Sequence, residues 1–260
     1  MCHGGPGLWD YLGDLAGLLS DEFTVYRWDQ RACGRSTAGS APASTERTLE
    51  DLDLLRSYFG HDKWSVLGHS WGAELALLYG LILEARSTCV VYISGRGTQG
   101  WWHAAGRAAN RDNVSRRMTP EQVERLSTLS HAATRDSGEE VEFRRLSWMT
   151  DFIEPDGNEA LRAMVEAPFS INFEINRALA SEQPLSEDSL RARLVSTRLQ
   201  VLFVHGADDP RPVEGPKQIA DWVSTATMEV VPRASHLPWV EQPVVVQDAL
   251  KTFLRRSTAH

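Results

Sequence analysis

The 260-residue sequence has few cysteines and no long apolar run. Its three cysteines, Cys2, Cys33 and Cys89, are far apart and lack metal-ligand spacing. The sequence therefore predicts neither a disulfide framework nor a zinc site, and it favours a reducing, cytoplasmic compartment. No stretch approaches the ~18 apolar residues that a membrane span needs, and no basic segment followed by an apolar stretch marks a signal peptide. A net charge of −8 disfavours nucleic acids and anionic membranes as partners.

The strongest motif lies where an apolar strand from Ser65 runs into Gly68-His69-Ser70-Trp71-Gly72 and out into a helix over 73–83. This pattern is typical of a nucleophile elbow, a tight turn that lifts a serine Oγ above the edge of a parallel sheet. Glycines are needed at 68 and 72 because strand and helix nearly touch there. Roughly 0.1 such matches arise by chance in a chain of this composition. The alternative is a serine in an ordinary turn.

Hydrophobic periodicity predicts alternating strands and helices on both sides of a long helical segment. Besides the elbow strand, the predicted strands are 23–28, 88–94, 199–205 and 227–231. The predicted helices of the core are 8–19, 48–59, 73–83, 214–223 and 242–255. The intervening residues 97–197 show helical patterns and no convincing strand. One of these helices is predicted to begin at Thr119 as N-cap with Pro120 in the first turn.

We therefore expect a hydrolase-like core of residues 1–96 and 198–260 interrupted by a helical lid of residues 97–197, inserted after the third predicted strand. Six lid aromatics could line a pocket, although a role in the core of the lid is the commoner outcome for each. These are Trp101, Trp102, Trp148, Phe152, Phe169 and Phe173.

An acid and a histidine each follow a later strand, on the same predicted sheet edge as the elbow. The chain order is Ser70, then Asp208 or Asp209, then His236, which is the nucleophile–acid–base order of this architecture. A serine hydroxyl needs an imidazole to take its proton and an acid to orient that ring. His69 flanks the serine, but its side chain should point away from the Oγ.

Backbone N–H groups must hold the negative charge that develops when a serine attacks a carbonyl. One donor should be Trp71, at the start of the helix after the elbow. The other should come from the glycine-rich turn at residues 3–7, where Gly5 is the first choice. Gly4 is the second choice and a candidate substrate contact.

Two motifs described above and a polar loop after the predicted 23–28 strand together resemble the proline iminopeptidases of the α/β-hydrolase superfamily. The three segments are His3-Gly4-Gly5-Pro6-Gly7, Asp29-Gln30-Arg31-x-Cys33-Gly34-Arg35-Ser36 and Gly68-x-Ser70-Trp71-Gly72. The closing segment, His236 with Pro238-Trp239-x-Glu241-x-Pro243, resembles α/β-hydrolases generally. The resemblance covers residues 3–95 and 199–255. It implies an α/β-hydrolase fold, a mostly parallel sheet flanked by helices.

The same resemblance implies a serine peptidase that removes an N-terminal residue, typically proline, from short peptides without a metal or organic cofactor. The family acid falls on Asp209, with Asp208 as the alternative. Such enzymes hold the substrate amine with lid glutamates, and Glu174 is the best candidate here, although a solvated or ion-paired helix glutamate is the commoner reading. Related lidded hydrolases act on esters, amides and other small acyl compounds. A serine at position 70 argues against dehalogenase and epoxide-hydrolase chemistry.

In that family several strands precede the glycine loop, whereas Met1 stands two residues before His3 here. On family topology the predicted 23–28 strand would lose both neighbours. We therefore expect either a start recorded too late or a fragmentary copy, which would be poorly stable and weakly active if residues 1–260 are the whole polypeptide. A non-catalytic or remnant hydrolase-fold protein is accordingly the competing hypothesis from another functional class.

Overall fold

The computed structural model describes residues 1–39 and 43–258. It contains a four-stranded parallel sheet in the order β1-β2-β3-β4. The strands are β1 (Trp64–His69), β2 (Ser87–Ile93), β3 (Gln200–Gly206) and β4 (Ala226–Val231). The register aligns Gly68 of β1, Tyr92 of β2, Phe203 of β3 and Met228 of β4. Because all four strands run in one direction, the loops that follow them meet at one edge of the sheet.

Helices cover both faces of this sheet. Those outside the long insertion are α1 (Gly13–Gly17), α2 (Thr45–Tyr58), α3 (Trp71–Ile82), α11 (Glu214–Ala220), α12 (Pro238–Glu241) and α13 (Pro243–Thr258). On β2, Val91 and Ile93 pack into one apolar cluster whereas Val90 and Tyr92 pack into the other. This alternation places one core on each side of the sheet. None of the helices in the described parts of the chain is long and apolar enough to cross a membrane.

The segment between β2 and β3 is helical, as the sequence predicts. Its helices are α4 (Gln99–Trp101), α5 (Arg107–Ser115), α6 (Pro120–His131), α7 (Ser137–Trp148), α8 (Glu159–Val165), α9 (Phe173–Ala180) and α10 (Glu187–Ser196). A π-helical turn, Trp102–Gly106, joins α4 to α5, and a 3₁₀ turn, Met149–Asp151, follows α7. The predicted start of α6 is confirmed, since Thr119 and Gln122 form a reciprocal capping box. We keep the name lid for residues 97–197; its treatment as a unit separate from the core stays a prediction.

The predicted strand at 23–28 is wrong. A strand needs a ladder of backbone hydrogen bonds to a neighbouring strand, and residues 23–28, which lie within the described part of the chain, form no strand. Tyr26 O instead accepts a hydrogen bond from the Met1 ammonium. Cys2 instead makes an isolated parallel bridge with Gly68 of β1. The lid consequently follows the second strand of the sheet, not the third as predicted.

The predicted helix at 8–19 is too long, because α1 begins only at Gly13. The side chain of Asp10 explains the delay: its Oδ1 accepts a bond from Leu12 N at 3.1 Å. The backbone N–H of Asp10 is itself held by the Asp29 carboxylate at 2.7 Å. Such local side-chain bonds compete with helical ones, so the backbone stays irregular up to Leu12.

Candidate active site

Ser70 sits in a strained turn between β1 and α3. Its φ and ψ are 57° and −123°, a conformation that costs a non-glycine residue of order 1–3 kcal/mol. The turn is fixed by a bond from Ser70 N to Ile93 O at 2.9 Å. A Cβ at Gly68 would overlap the carbonyl of Gly72, where the strand meets the helix. A Cβ at Gly72 would instead overlap the backbone carbonyls of Cys2 and His3, so Gly72 is required by the start of the glycine loop. Ser70 is partly exposed at the carboxyl edge of the sheet.

The structure brings His236 and Asp209 together at that edge. Asp209 follows β3 and His236 follows β4, and His236 Nδ1 lies 2.7 Å from Asp209 Oδ2. Their side chains are 4% and 0% exposed. Because a carboxylate only accepts, Nδ1 carries the proton and Nε2 is free to act as a base. The structure forms no hydrogen bond between the Ser70 hydroxyl and His236, and such contacts often tighten only when substrate binds.

The two acids considered for this role have different environments. Asp209 is buried, whereas Asp208 is exposed. Arg117 and Ser235 contact Asp208 through its backbone carbonyl. The geometry therefore pairs His236 with Asp209, and Asp208 remains at the surface.

A buried ion network surrounds Asp209. Arg211 N donates to Asp209 Oδ1 at 2.9 Å, and Arg211 Nη1 lies 3.5 Å from the same oxygen. Burial alone would raise the pKa of Asp209, but the interactions with His236, His205 and Arg211 outweigh it and hold that pKa below its usual range. Arg211 also contacts the carboxylate of Asp151, from the lid. Asp209 is therefore ionised at neutral pH, as a group that stabilises an imidazolium must be.

The glycine loop lies directly over the serine. A Cβ on Gly4 would stand 2.7 Å from the Cβ of Ser70. Gly4 N donates to the Tyr11 hydroxyl at 3.0 Å, so this N–H is already engaged. The N–H groups of Gly5 and Trp71 have no acceptor among the residues that the structure describes. Gly5 (φ 51°) and Trp71, the first residue of α3, therefore have backbone N–H groups available to an oxyanion.

His69 and Tyr11 connect the glycine loop to the loop of His236. His69 Nε2 lies 2.9 Å from His236 O, and His69 Nδ1 lies 2.7 Å from the Tyr11 hydroxyl. A carbonyl oxygen only accepts, so Nε2 carries the proton, Nδ1 accepts from Tyr11, and the Tyr11 oxygen accepts from Gly4 N. Burial lowers the pKa of His69 well below its usual value, which keeps the ring neutral and this chain of bonds intact. The prediction that His69 points away from the serine agrees with this arrangement.

The segment 29–36 holds the glycine loop from the other side. Gln30 N donates to His3 Nε2 at 3.1 Å, and Gln30 Nε2 donates to His3 O at 2.9 Å. The Asp29 carboxylate accepts from Arg35 N and Arg35 Nε. This motif therefore supports the loop rather than taking part in chemistry.

Glu174 is not brought to the other predicted site residues. It is exposed in the first turn of α9. Asn172, the N-cap of α9, donates its backbone N–H to Gly7 O at 2.8 Å, and Asn176 Nδ2 donates to Pro6 O at 2.8 Å. Asn176 is two residues after Glu174, and residues two apart on a helix do not face the same way. Glu174 therefore lies away from the side of α9 that Asn176 presents to the glycine loop.

The six lid aromatics divide among three environments. Trp102 and Phe152 are buried, as expected for core residues. Trp148 and Phe169 contact Trp9, with ring centroids 6.0 and 5.7 Å apart. The remaining two, Trp101 and Phe173, are partly exposed and exposed.

Sequence reasoning missed three residues of this site. Arg211 could have been noticed, because it lies two positions after Asp209. Tyr11 and Asp151 carry no such signal, since only the fold brings them to His69 and Arg211. Within residues 1–39 and 43–258, no group of three or more His, Cys, Asp or Glu side chains is arranged to hold a metal ion.

Comparison with known proteins agrees with this architecture. The sequence matches the alpha/beta hydrolase family over residues 1–249. It is 43% identical over 83 residues to a proline iminopeptidase of Saccharolobus solfataricus, an alignment that covers 30% of this chain and 27% of that protein. The alignments to several curated relatives thus span only about a quarter of their length.

Longer alignments have lower identity. A proline iminopeptidase of Lactiplantibacillus plantarum is 22% identical over 98% of this chain and 90% of its own length. The crystal structure of the proline iminopeptidase of Mycobacterium smegmatis superposes with a TM-score of 0.71 at 19% identity, covering 98% of this chain and 88% of that one. The sheet, the elbow and the family match together lead to one assignment: the chain belongs to the alpha/beta hydrolase family.

Proposed function

We propose that the protein is a serine hydrolase that forms an acyl-enzyme on Ser70. The observation that carries the proposal is the buried His236–Asp209 pair at 2.7 Å, on the same sheet edge as a serine held in a strained elbow. A serine in an ordinary turn would need neither the strain nor two unoccupied N–H donors nearby. These features together favour nucleophilic catalysis.

In the first half of the reaction, Ser70 Oγ attacks the substrate carbonyl carbon and its proton passes to His236 Nε2. The negative charge that develops on the carbonyl oxygen is held by the N–H groups of Gly5 and Trp71. Asp209 stabilises the imidazolium through Nδ1–H. The intermediate then collapses, the bond to the leaving group breaks, and that group takes the proton from His236 Nε2.

In the second half, a water molecule replaces the leaving group. His236 Nε2 takes its proton while the water oxygen attacks the acyl carbon. Collapse of this second intermediate returns the proton to Ser70 Oγ and releases the acid. Every proton is passed through one nitrogen, so a single neutral imidazole is sufficient for both halves.

Within this chemistry we propose an aminopeptidase that removes an N-terminal, proline-like residue from short peptides. Support comes from the glycine-loop, 29–36 and elbow motifs and from the relatives named as proline iminopeptidases. The alternative is an esterase or amidase for small acyl compounds. The position of Glu174 favours this alternative, because a cationic amine needs a carboxylate beside it and Glu174 faces away from the glycine loop.

Two measurements test these proposals. A fluorophosphonate probe should label the unmodified protein but not Ser70→Ala. Ser20→Ala is the control and should be labelled, because Ser20 is exposed and lies far along the chain from the elbow. Failure to label a folded protein would instead support a non-catalytic hydrolase-fold protein. Comparing a proline arylamide with its N-acetylated form and with a short-chain p-nitrophenyl ester then separates the two activities. The aminopeptidase proposal fails if blocking the amine leaves the rate unchanged.

A further inference from the structure

The 3₁₀ turn Met149–Asp151 of the lid lies against both loops that carry the proposed acid and base. His236 N donates to Asp151 O at 3.1 Å. Arg117 donates through Nη1 to Thr150 O at 2.7 Å and to Ser235 Oγ at 3.1 Å. The lid is therefore attached to His236 through the backbone of Asp151 and to the preceding Ser235 through the side chain of Arg117.

The carboxylate of Asp151 makes a second connection, through Arg211. The guanidinium of Arg211 contacts Asp151 and lies 3.5 Å from Asp209. The Asp151 side chain is 7% exposed and that of Arg211 is 23% exposed, so water screens this contact weakly. Burial would lower the pKa of Arg211, but the two carboxylates outweigh it and raise that pKa. Arg211 is thus a permanent cation shared between Asp151 and Asp209.

We propose that Asp151 is a positioning residue for His236 and Asp209: it draws Arg211 away from Asp209, so that the Asp209 carboxylate remains directed at His236. Without the Asp151 charge, Arg211 would keep Asp209 as its carboxylate partner in this network. Its guanidinium lies against Oδ1 of Asp209, whereas His236 Nδ1 is bonded to Oδ2, so the two would compete for the charge of one carboxylate. The effect of Asp151 on catalysis rests on the proposed function. Its effect on the ion network of Arg211, Asp209 and His236 does not.

The charges that face the His236 ring make this competition measurable. The neighbours from each packed element are Asp209 and Arg211 after β3, Asp151 from the lid, His69 from the elbow, His205 at the end of β3, and Arg117 and Glu241 beside Ser235. Burial lowers the pKa of His69 and of His205, so both are neutral at pH 7. Arg117 and Glu241 have opposite charges. Asp209, Arg211 and Asp151 therefore determine the local balance, which is one negative charge with Asp151 and none without it.

Removing either outer charge should move the His236 titration in opposite directions. In Asp151→Asn, we expect the midpoint of the His236 ring titration, followed by NMR, to fall by about 0.5–1 pH unit. In Arg211→Gln it should rise. The double variant should lie between the two, close to the unmodified protein. The acid limb of kcat/KM should follow the same order, with a fall in kcat of roughly tenfold for Asp151→Asn.

Glu154→Gln is the matched control, because it removes an exposed lid carboxylate three residues away and should shift neither quantity. A merely structural role would lower the melting temperature of both single variants without separating their titrations. Equal midpoints in folded Asp151→Asn and Arg211→Gln would overturn the proposal. If Asp151→Asn does not fold, an unchanged midpoint in Arg211→Gln overturns it alone. The NMR titration needs no activity, so absence of fluorophosphonate labelling would refute the proposed function while leaving this inference to its own result.

Discussion

Replacing Tyr11 by phenylalanine tests the hydrogen-bond chain between the glycine loop and the elbow. The substitution removes one oxygen and keeps the ring. That oxygen accepts from Gly4 N at 3.0 Å and donates to His69 Nδ1 at 2.7 Å. Burial raises the pKa of Tyr11 above its usual value, so the hydroxyl is protonated and able to donate throughout the physiological range.

The expected cost follows from the two partners left behind. A buried polar group without a partner costs about 1–3 kcal/mol, and the Gly4 N–H and the His69 Nδ1 would both lose theirs. Because both bonds are only partly buried, we expect Tyr11→Phe to lower the free energy of unfolding by about 2–3 kcal/mol, the low end of the sum for two groups. At about 2–4 °C per kcal/mol for a domain of this size, the melting temperature should fall by about 4–12 °C. The loosened loop should misplace the Gly5 N–H and reduce kcat about tenfold, less than complete loss of an oxyanion donor.

Urea unfolding and steady-state kinetics measure the two effects, with Tyr58→Phe as the matched control because Tyr58 is 83% exposed. The control should change the free energy of unfolding by less than about 0.5 kcal/mol and leave kcat unaltered. If Tyr11→Phe matched the control in both measurements, the hydroxyl would not be holding the loop, and the proton assignments around His69 would be wrong.

Three further predictions follow from the site and the fold. Asp209→Asn should reduce kcat roughly 10³–10⁴-fold and the exposed Asp208→Asn less than about twofold, as measured by hydrolysis of the best substrate; equal losses would show that the wrong acid has been assigned. Gly68→Ala, whose methyl group would overlap a backbone carbonyl of the elbow helix, should lower stability by more than about 4 kcal/mol, whereas Gly17→Ala, with open space around it, should leave thermal unfolding unchanged or slightly improved. Burial lowers the pKa of three histidines below the usual 6.5. The unfolded chain therefore binds more protons, and the unfolding free energy should fall by up to about 1.4 kcal/mol per histidine per pH unit below pH 6.5. Urea titrations at pH 7.5 and 5.5 measure this loss, and a smaller loss in His69→Gln is required.

Much of the core could be predicted from the sequence because local signals and tertiary packing agree there. The apolar runs of β2 and β3 are buried on both faces, so their composition and length suffice to identify them. The elbow was found through two glycines that steric contact requires. In contrast, residues 23–28 have the composition of a strand but no neighbouring strand to bond with. Composition alone does not predict whether such a partner strand is present.

The site itself was predictable only in part. Ser70, Asp209 and His236 follow strands, so topology places them at one sheet edge. The role of Glu174 is predicted only from the apolar and amide residues around it in the sequence, and it lies two residues from Asn176, the side chain that α9 directs at Pro6. Asp151 lies 58 residues before Asp209 in the sequence. No local pattern at either position predicts that the Arg211 guanidinium contacts both carboxylates.

The attachment of α9 to the glycine loop has a consequence for how substrate reaches the serine. Asn172 and Asn176 bind Gly7 O, Pro6 O and, through Asn172 Nδ2, Ala32 O. Swinging α9 outward would break these three bonds, at about 1 kcal/mol each, and would release the loop that carries the Gly5 N–H. An opening at α9 would therefore displace the proposed oxyanion donor Gly5 when substrate binds. We expect substrate to reach Ser70 by another route around the lid while α9 stays in place beside the glycine loop.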